Sequence, residues 1–95
     1  MPKGYWIAHV TVTDPEPYAV YAAATAEPFK KYSANILARG GAYKALEGAD
    51  RPRNVVIEFP SFQAALDCYN SPEYQAAREN RIGAGIADIT IVEGA

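Results

Sequence analysis

The chain has 95 residues, of which 49% are hydrophobic and 21% charged, and its formal net charge at pH 7 is −2. This length predicts one domain over residues 1–95, and the apolar content exceeds that of disordered chains. The weakly acidic balance gives no electrostatic attraction to nucleic acid or to a membrane, and no apolar run has signal-peptide or membrane-spanning length, so we expect a cytoplasmic protein.

The first predicted elements are a strand and a helix. Residues 5–13 are dense in β-branched and aromatic side chains, which favour a strand. Asp14 offers an N-cap acceptor and Pro15 suits the first helical position, so a helix should follow, with a kink near Glu27 because Pro28 has no backbone N–H. The side chains of this helix that we expect to face a sheet are Tyr18, Tyr21, Ala22, Thr25, Phe29 and Tyr32.

The middle of the chain predicts two strands joined by a turn. Residues 35–46 are expected to form the second strand, in which Gly40 and Gly41 mark a bulge or the close approach of another backbone. Residues 48–52 contain glycine, aspartate and proline, which are typical of a turn. Residues 54–59, Asn-Val-Val-Ile-Glu-Phe, have the strongest strand pattern in the chain.

The last part of the chain predicts helical segments and a fourth strand. Ser61 can cap one helix, and Ser71, followed by a proline, can cap another that runs to about Ile82. Gly83 ends that helix because glycine readily adopts the left-handed conformation of a C-terminal cap. Residues 86–93, Ile-Ala-Asp-Ile-Thr-Ile-Val-Glu, then predict a strand.

The order of elements is β-α-β-β-α-β, which predicts an α+β, ferredoxin-like fold. Such a fold is a four-stranded antiparallel sheet with the helices on one face. Along the first strand, Trp6 and Ala8 point to one face and Tyr5 and Ile7 to the other, so both faces carry large apolar groups. Because an uncovered apolar face is unfavourable in water, we expect a homodimer formed through the helix-free face of the sheet.

The period-two alternation of strands also places polar residues together. If the alternation runs without a bulge, the polar strand residues on the helix-free face are His9, Arg39, Glu58, Asp88 and Thr90. The first and third strands are central neighbours in a ferredoxin-like sheet, so His9 and Glu58 are expected within hydrogen-bonding reach. A bulge at the paired glycines would change the direction of Arg39.

These five residues are the candidate site. A carboxylate beside an imidazole raises its basicity, which suits proton abstraction, so Glu58 and His9 are the candidate catalytic residues. Arg39 can hold an anion or a carbonyl oxygen, with Asp88 and Thr90 as further substrate-binding candidates. The alternative is a hydrogen-bonded network that only satisfies itself inside a dimer interface.

We expect no metal and no cofactor. His9, Glu58 and Asp88 are suitable ligand types for a metal, but they lie on different strands and no local spacing supports such a site. His9 and Cys68 are the only histidine and cysteine, which excludes a Cys/His zinc cluster and an intrachain disulfide. The glycines do not lie between a strand and a helix, so they form no dinucleotide-binding motif.

Other charged residues are interpreted as surface groups. Residues 51–53, Arg-Pro-Arg, read as a solvated basic turn, although such a turn can also bind a phosphate or carboxylate. Arg78 and Arg81 are three apart on the last helix and are expected to face water. Cys68 lies beside an apolar stripe, far from the single histidine, and is not expected to be a nucleophile.

Four segments of the chain resemble a known bacterial family. They are residues 4–8 (Gly-Tyr-Trp-Ile-Ala), 39–41 (Arg-Gly-Gly), 53–61 (Arg-Asn-Val-Val-Ile-Glu-Phe-Pro-Ser) and 68–75 (Cys-Tyr-Asn-Ser-Pro-Glu-Tyr-Gln). Together they resemble the domain of unknown function thirteen-thirty. The resemblance implies a dimeric α+β barrel, in which two ferredoxin-like sheets pack face to face, and it implies no catalytic residue.

The resemblance also indicates a range of chemistry at the level of the superfamily. Its members include cofactor-independent monooxygenases, muconolactone-type isomerases, haem-using chlorite dismutases and stress-responsive barrels. A shared fold does not show that two proteins catalyse the same reaction. One hypothesis is therefore a small organic metabolite bound between the sheet and its dimer mate, with cofactor-independent proton-transfer, oxygenase or isomerase chemistry. The alternative is a non-catalytic dimeric structural or stress-related module.

Overall fold

The structure is a computed structural model that describes residues 2–95. Its elements in chain order are β1 (Gly4–Val12), α1 (Pro15–Ala24), α2 (Ala26–Lys31), β2 (Asn35–Arg39), β3 (Arg53–Phe59), α3 (Phe62–Asn70), α4 (Pro72–Glu79) and β4 (Gly85–Glu93). The strands form one antiparallel sheet in the order β2-β3-β1-β4. This arrangement confirms the predicted ferredoxin-like fold.

The break between α1 and α2 follows from the position of a proline. Pro28 has no N–H to donate to the carbonyl of Ala24, the residue at which α1 ends. The chain therefore breaks at Thr25, just before the predicted kink, and the Thr25 hydroxyl donates a hydrogen bond to Ala22 O at 2.7 Å. Asp14 occupies the N-cap of α1 with an extended backbone, but its side chain makes no capping hydrogen bond.

The later helices begin at the predicted serines. Ser61 Oγ accepts a hydrogen bond from the backbone N–H of Ala64 at 3.0 Å, and Ser71 Oγ accepts one from Tyr74 at 3.1 Å. The Ser71 hydroxyl also donates to Cys68 O at 2.7 Å, so one side chain ends α3 and starts α4. These bonds satisfy backbone groups that helix ends leave free.

The second strand is shorter than the sequence indicated. A strand over 35–46 was expected, but β2 ends at Arg39 because Gly40 adopts a left-handed backbone with φ of 66°. Residues 40–52 form a loop instead. The predicted bulge also lies elsewhere, since the register between β2 and β3 shifts between Ile36 and Ala38 rather than at the two glycines.

The core lies between the sheet and the helices and is dominated by aromatic rings. Trp6, at 1% exposure, packs its ring against Tyr74 of α4 at a centroid distance of 4.9 Å and against Phe29 of α2 at 5.5 Å. It also stacks on Phe59 of β3 at 6.0 Å. These contacts bring helices from both halves of the chain onto the same face of the sheet, and each pair adds to the burial of its rings.

The opposite face of the sheet carries apolar side chains without helices above it. Ile7 and Val56 are opposite each other on the two central strands and are half-buried, while Ile86 and Val92 on β4 are 53% and 45% exposed. The prediction that both faces carry large apolar groups is therefore confirmed.

Candidate functional site

The predicted pair of catalytic residues is not brought together. His9 lies opposite Asn54 in the β1–β3 register, whereas Glu58 lies opposite Tyr5, roughly 13 Å away along the strand at the usual rise per residue. The expected His9–Glu58 hydrogen bond is therefore wrong. The two residues do share the helix-free face, but a common face fixes only the direction of a side chain and not its place along the strand.

Each of these residues has a different partner. Asn54 Nδ2 donates to Arg51 O at 3.1 Å, which orients the amide so that Asn54 Oδ1 accepts from His9 Nδ1 at 2.6 Å. The Tyr5 hydroxyl donates to Glu58 at 3.1 Å, and this hydrogen bond raises the pKa of Tyr5. Both residues thus make local hydrogen bonds on the face where the dimer interface was expected.

The predicted substrate-binding residues on β4 lie on the same face. Asp88 accepts a hydrogen bond from Arg51 Nε at 2.8 Å, and Arg51 also donates to Thr11 at 3.2 Å. Thr90 is exposed and lies opposite Ile7. Asp88 therefore forms an ion pair with Arg51 of the loop between β2 and β3, and Thr90 takes no part in this ion pair.

Arg39 lies on the other side of the sheet. Because the register shifts between Ile36 and Ala38, Arg39 is opposite Val55. Side chains alternate along β3, so Val55 lies on the helix side of the sheet and Val56 on the helix-free side. Arg39 therefore points to the helix side, and its predicted placement with His9 and Glu58 is wrong. An extra residue in one strand reverses the direction of every side chain after it.

Arg39 lines the mouth of a cavity between the sheet and the helices. The cavity has a volume of about 150 Å³ and is walled by Trp6 and Ile57 of the sheet and by Tyr18 and Tyr21 of α1. Its other charged residues are Arg53 and Arg81, and none of its described lining residues is Asp, Glu or His. We call this space the arginine cavity.

Arg81 is the most deeply buried of the three arginines, at 8% exposure. Its guanidinium lies 5.2 Å from the centre of the Tyr21 ring, and its Nε has no hydrogen-bond partner among the described residues. The expectation that it faces water is wrong because α4 ends at Glu79 and the chain then turns. Arg81 N–H donates to Arg78 O within this turn, and Ala84 N–H donates back to Arg81 O, which directs the side chain inward.

Arg53 is the first residue of β3 rather than part of a solvated turn. It lies opposite Val10 and is half-buried, its guanidinium is 5.4 Å from the centre of the Tyr18 ring, and its Nε is buried without a partner in residues 2–95. Gly40 passes so close that a Cβ atom there would lie 3.0 Å from Arg53 Nη1. The missing side chain at Gly40 therefore makes room for the guanidinium.

The hydroxyl groups beside Arg81 act as donors. The hydroxyls of Tyr21 and Tyr74 are 2.8 Å apart, and burial raises the pKa of both, so both remain protonated at neutral pH. Burial lowers the pKa of Arg81, but Tyr74 and Tyr21 outweigh it and the net shift is upward, so the guanidinium remains charged. One of the two hydroxyl protons lies in the bond between these tyrosines, and only Tyr21 of the pair lines the cavity, so its inner end offers a cation and one hydroxyl donor when Tyr74 donates to Tyr21.

No carboxylate among residues 2–95 forms an ion pair with an arginine of the cavity. Ion pairs in the described part of the chain join Lys31 to Glu73 and Arg51 to Asp88, and none involves a cavity arginine. Removing an unpaired ion from water costs several kcal/mol, whereas the C-terminal dipole of α4 returns only ~0.3–1 kcal/mol to Arg81. The arrangement therefore favours binding of an anion.

No helix formed by residues 2–95 has the length and apolarity needed to cross a membrane. Over the same residues, no three side chains of His, Cys, Asp or Glu are grouped as a metal ion would require. The charged groups of the cavity are all cations, which do not ligate metals.

Fold and site together define a ferredoxin-like domain with a cationic cavity on the helix side of its sheet. The chain belongs to the family described as Domain of unknown function (DUF1330), whose model matches residues 3–95. The resemblance noted in the sequence is thereby confirmed. Among curated proteins, none matches this sequence.

Several solved structures share this fold. A protein of unknown function from Rhodopseudomonas palustris has a TM-score of 0.78 at 17% identity, covering 99% of this chain and 83% of that one. SnoaB, a cofactor-independent oxygenase from Streptomyces nogalater, has a TM-score of 0.64 at 12% identity and covers 100% and 95%. A dimeric ferredoxin-like protein of unknown function from Thermobifida fusca has a TM-score of 0.63 at 16% identity and covers 99% and 91%.

The sequence predicted a functional role for only one of the three arginines of the cavity. Arg39 was selected, but for the wrong face, and Arg53 and Arg81 were interpreted as surface groups. One signal for buried arginines was present in the sequence, because Tyr18 and Tyr21 were expected to face the sheet. In the structure the guanidinium groups of Arg53 and Arg81 lie over these two rings. Two aromatic rings facing a core can hold guanidinium groups there.

Proposed function

We propose that this protein binds a small organic anion in the arginine cavity. The observation that carries the proposal is Arg81, a guanidinium at 8% exposure that has no carboxylate partner among residues 2–95. A buried charge is stable when it is paired. A ligand that brings a carboxylate, phosphate or enolate oxygen supplies that partner, and the Tyr21 hydroxyl can donate to the same oxygen when Tyr74 donates to Tyr21.

The size and walls of the cavity limit the ligand. A volume of about 150 Å³ corresponds to roughly five waters at their share of the liquid volume, which suits a single ring or a short chain. Trp6, Ile57 and the face of Tyr18 offer apolar contact to the body of such a molecule. Apolar walls with a few convergent polar groups are typical of small-molecule sites.

For chemistry, we propose a proton-transfer, isomerase or cofactor-independent oxygenase reaction on the bound anion. Three guanidinium groups lower the pKa of an enol or phenol in the cavity, so the substrate itself binds in its deprotonated, electron-rich form. This route needs no carboxylate or imidazole base in the cavity. The structural likeness to SnoaB, a cofactor-independent oxygenase, supports this class of reaction as a proposal.

We also propose that the protein is a homodimer joined through the helix-free face. The half-exposed apolar side chains on that face support this arrangement, as does the dimeric state of the Thermobifida fusca protein. Burying Ile7, Val56, Ile86 and Val92 against a second copy removes apolar surface from water. The hydrogen bonds of His9 and Glu58 would then lie at the interface, as in the non-catalytic alternative.

A second candidate site keeps the roles first predicted for this face, with Glu58 and His9 as catalytic residues and Asp88 and Thr90 as substrate-binding residues. A space of about 190 Å³ lined by His9, Arg51 and Asp88 favours the roles of His9 and Asp88, whereas Glu58 and Thr90 do not line it. The variant Asp88→Asn separates the two sites, because Asp88 lines this space and does not line the arginine cavity. It should leave anion affinity unchanged if the ligand is in the arginine cavity, whereas a loss of affinity would support the helix-free face.

Binding is tested by comparing benzoate with neutral benzamide in a thermal-shift and calorimetric titration. Benzoate should stabilise the protein by about 2.7 kcal/mol at 100 times its dissociation constant, and benzamide should not. The variant Arg81→Met should abolish the benzoate response. Arg78→Met is the matched control, because Arg78 also has a buried, unpaired Nε but does not line the cavity. Equal responses of the two variants would refute the proposal.

A further inference from the structure

Resting on the proposed function, we infer that the ligand is a dianion whose two anionic groups are separated by a small apolar body. One group is held by Arg81 at the inner end of the arginine cavity. The other is held by Arg39 and Arg53 toward its mouth. The ligand class is thus a short dicarboxylate or a molecule with an equivalent pair of separated anionic oxygens.

The charge of the cavity supports two anionic groups rather than one. Its described lining contains three guanidinium groups and no carboxylate, so a monoanion leaves most of the positive charge unbalanced. Arg53, which is half-buried with its Nε lacking a partner among residues 2–95, then keeps its desolvation cost, since arginine stays protonated in proteins; exposed Arg39 keeps little of one. A second anionic group removes much of that cost and adds charge-assisted hydrogen bonds.

The positions of the arginines support separation of the two groups. Arg81 lies over the ring of Tyr21, Arg53 lies over the ring of Tyr18, and these two rings are neighbours with centroids 5.3 Å apart. The guanidinium groups therefore occupy two positions along the cavity, one on each ring. Because each guanidinium can make its own two-bonded contact with a carboxylate, two positions favour two anionic groups.

Arg39 belongs with Arg53 at the outer position. Arg39 is opposite Val55, which makes Arg53 its diagonal neighbour on the same face of the sheet, with backbones about 7–8 Å apart. Arg39 is exposed and Arg53 half-buried, so this pair lies nearer to solvent than Arg81 does. Long side chains at such a spacing can converge on one carboxylate.

The space between the two positions is apolar. Ala8, Val10, Ala87 and Ile89 line the cavity from the sheet. They offer no hydrogen bonds to a polar linker, so the body between the anionic groups should be a hydrocarbon chain or ring. A molecule with both charges on one phosphate would leave one of the two cationic positions empty.

The test compares matched dicarboxylates, monocarboxylates and neutral molecules by isothermal titration calorimetry. The probes are glutarate, adipate and terephthalate, with their monoamides and diamides, and phenyl phosphate. The tightest dicarboxylate should bind at least about tenfold more tightly than its monoamide, because one lost charge-assisted contact is worth that factor or more. The diamides should not bind.

Variants assign the two positions. Arg39→Ala should remove the preference for the dicarboxylate while leaving the affinity for the monoamide unchanged, and Arg81→Met should weaken both. Lys44→Ala is the matched control, since Lys44 is an exposed cation that does not line the cavity. It should leave all affinities unchanged.

The outcomes separate this inference from the proposed function. If dicarboxylates and their monoamides bind equally, the dianion is refuted and anion binding stands. If phenyl phosphate binds more tightly than every dicarboxylate, the separation of the charges is refuted. If no carboxylate binds and Arg81→Met has no effect on any probe, the proposed function itself fails.

Discussion

Replacing Arg81 by methionine should stabilise the unliganded protein. Methionine has a similar length and no charge, so it keeps the packing of the cavity while removing the buried cation. Replacing buried ions by well-packed apolar residues is often neutral or stabilising by about 1–4 kcal/mol. Arg81 fits that case because it is 8% exposed and has no carboxylate partner in residues 2–95.

The expected magnitude follows from the contacts that the variant loses. The guanidinium gives up its interaction with the Tyr21 ring, roughly 0.5–2 kcal/mol, and with the C-terminal dipole of α4, ~0.3–1 kcal/mol. The desolvation cost that it removes is several kcal/mol. We therefore expect the free energy of unfolding to rise by about 1 kcal/mol, and Tm by about 4–8 °C for a domain of this size.

The assay is urea denaturation followed by the fluorescence of Trp6, the only tryptophan, which is 1% exposed in the core. The buffer must contain no carboxylate or phosphate, and both proteins are compared at one concentration because a dimer gains stability by mass action. Destabilisation by more than about 2 kcal/mol would mean that the charge is already balanced in the free protein. The argument for an anionic ligand would then be refuted.

Gly40→Ala should lower both stability and anion affinity, because its Cβ would lie 3.0 Å from Arg53 Nη1. Gly48→Ala, also at positive φ but with open space around it, should cost about 1 kcal/mol in stability and leave affinity unchanged. Urea denaturation measures the stability of each variant and titration measures its anion affinity. Equal anion affinities of the two variants would contradict this prediction. Val56→Asp should shift sedimentation toward a monomer by placing a charge on the helix-free face; an unchanged dimer would exclude that face. Burial raises the pKa of Cys68 to about 12, so the unfolded thiol ionises first and its contribution to stability should fall as pH rises from about 9 to about 12. Cys68→Ala should flatten the pH dependence of urea midpoints over that range, and an unchanged slope would count against the burial effect.

The helix starts could be predicted from the sequence because their causes are local. Ser61 and Ser71 cap helices through bonds that span three residues, and Pro28 breaks a helix wherever that helix packs. The period-two pattern of β1 likewise identified an apolar second face. These features depend on neighbours in the chain, which the sequence displays directly.

The candidate site could not be predicted, because it depends on register and on one turn. The register shift between Ile36 and Ala38 moves Arg39 to the helix side, and a strand pattern does not reveal which residue will be bulged. His9 and Glu58 share a face but are separated along it, since only pairing between strands fixes which residues are opposite.

The sequence by itself determined the order of elements, the ferredoxin-like topology and the presence of apolar groups on both faces of the sheet, since propensity, capping and alternation act over a few residues. Only the tertiary structure decided where the charges lie. Arg53 and Arg81 are far apart in the chain, and they line one cavity because two tyrosines of α1 hold one guanidinium each. Their burial results from packing between distant segments, which leaves no trace in local sequence patterns.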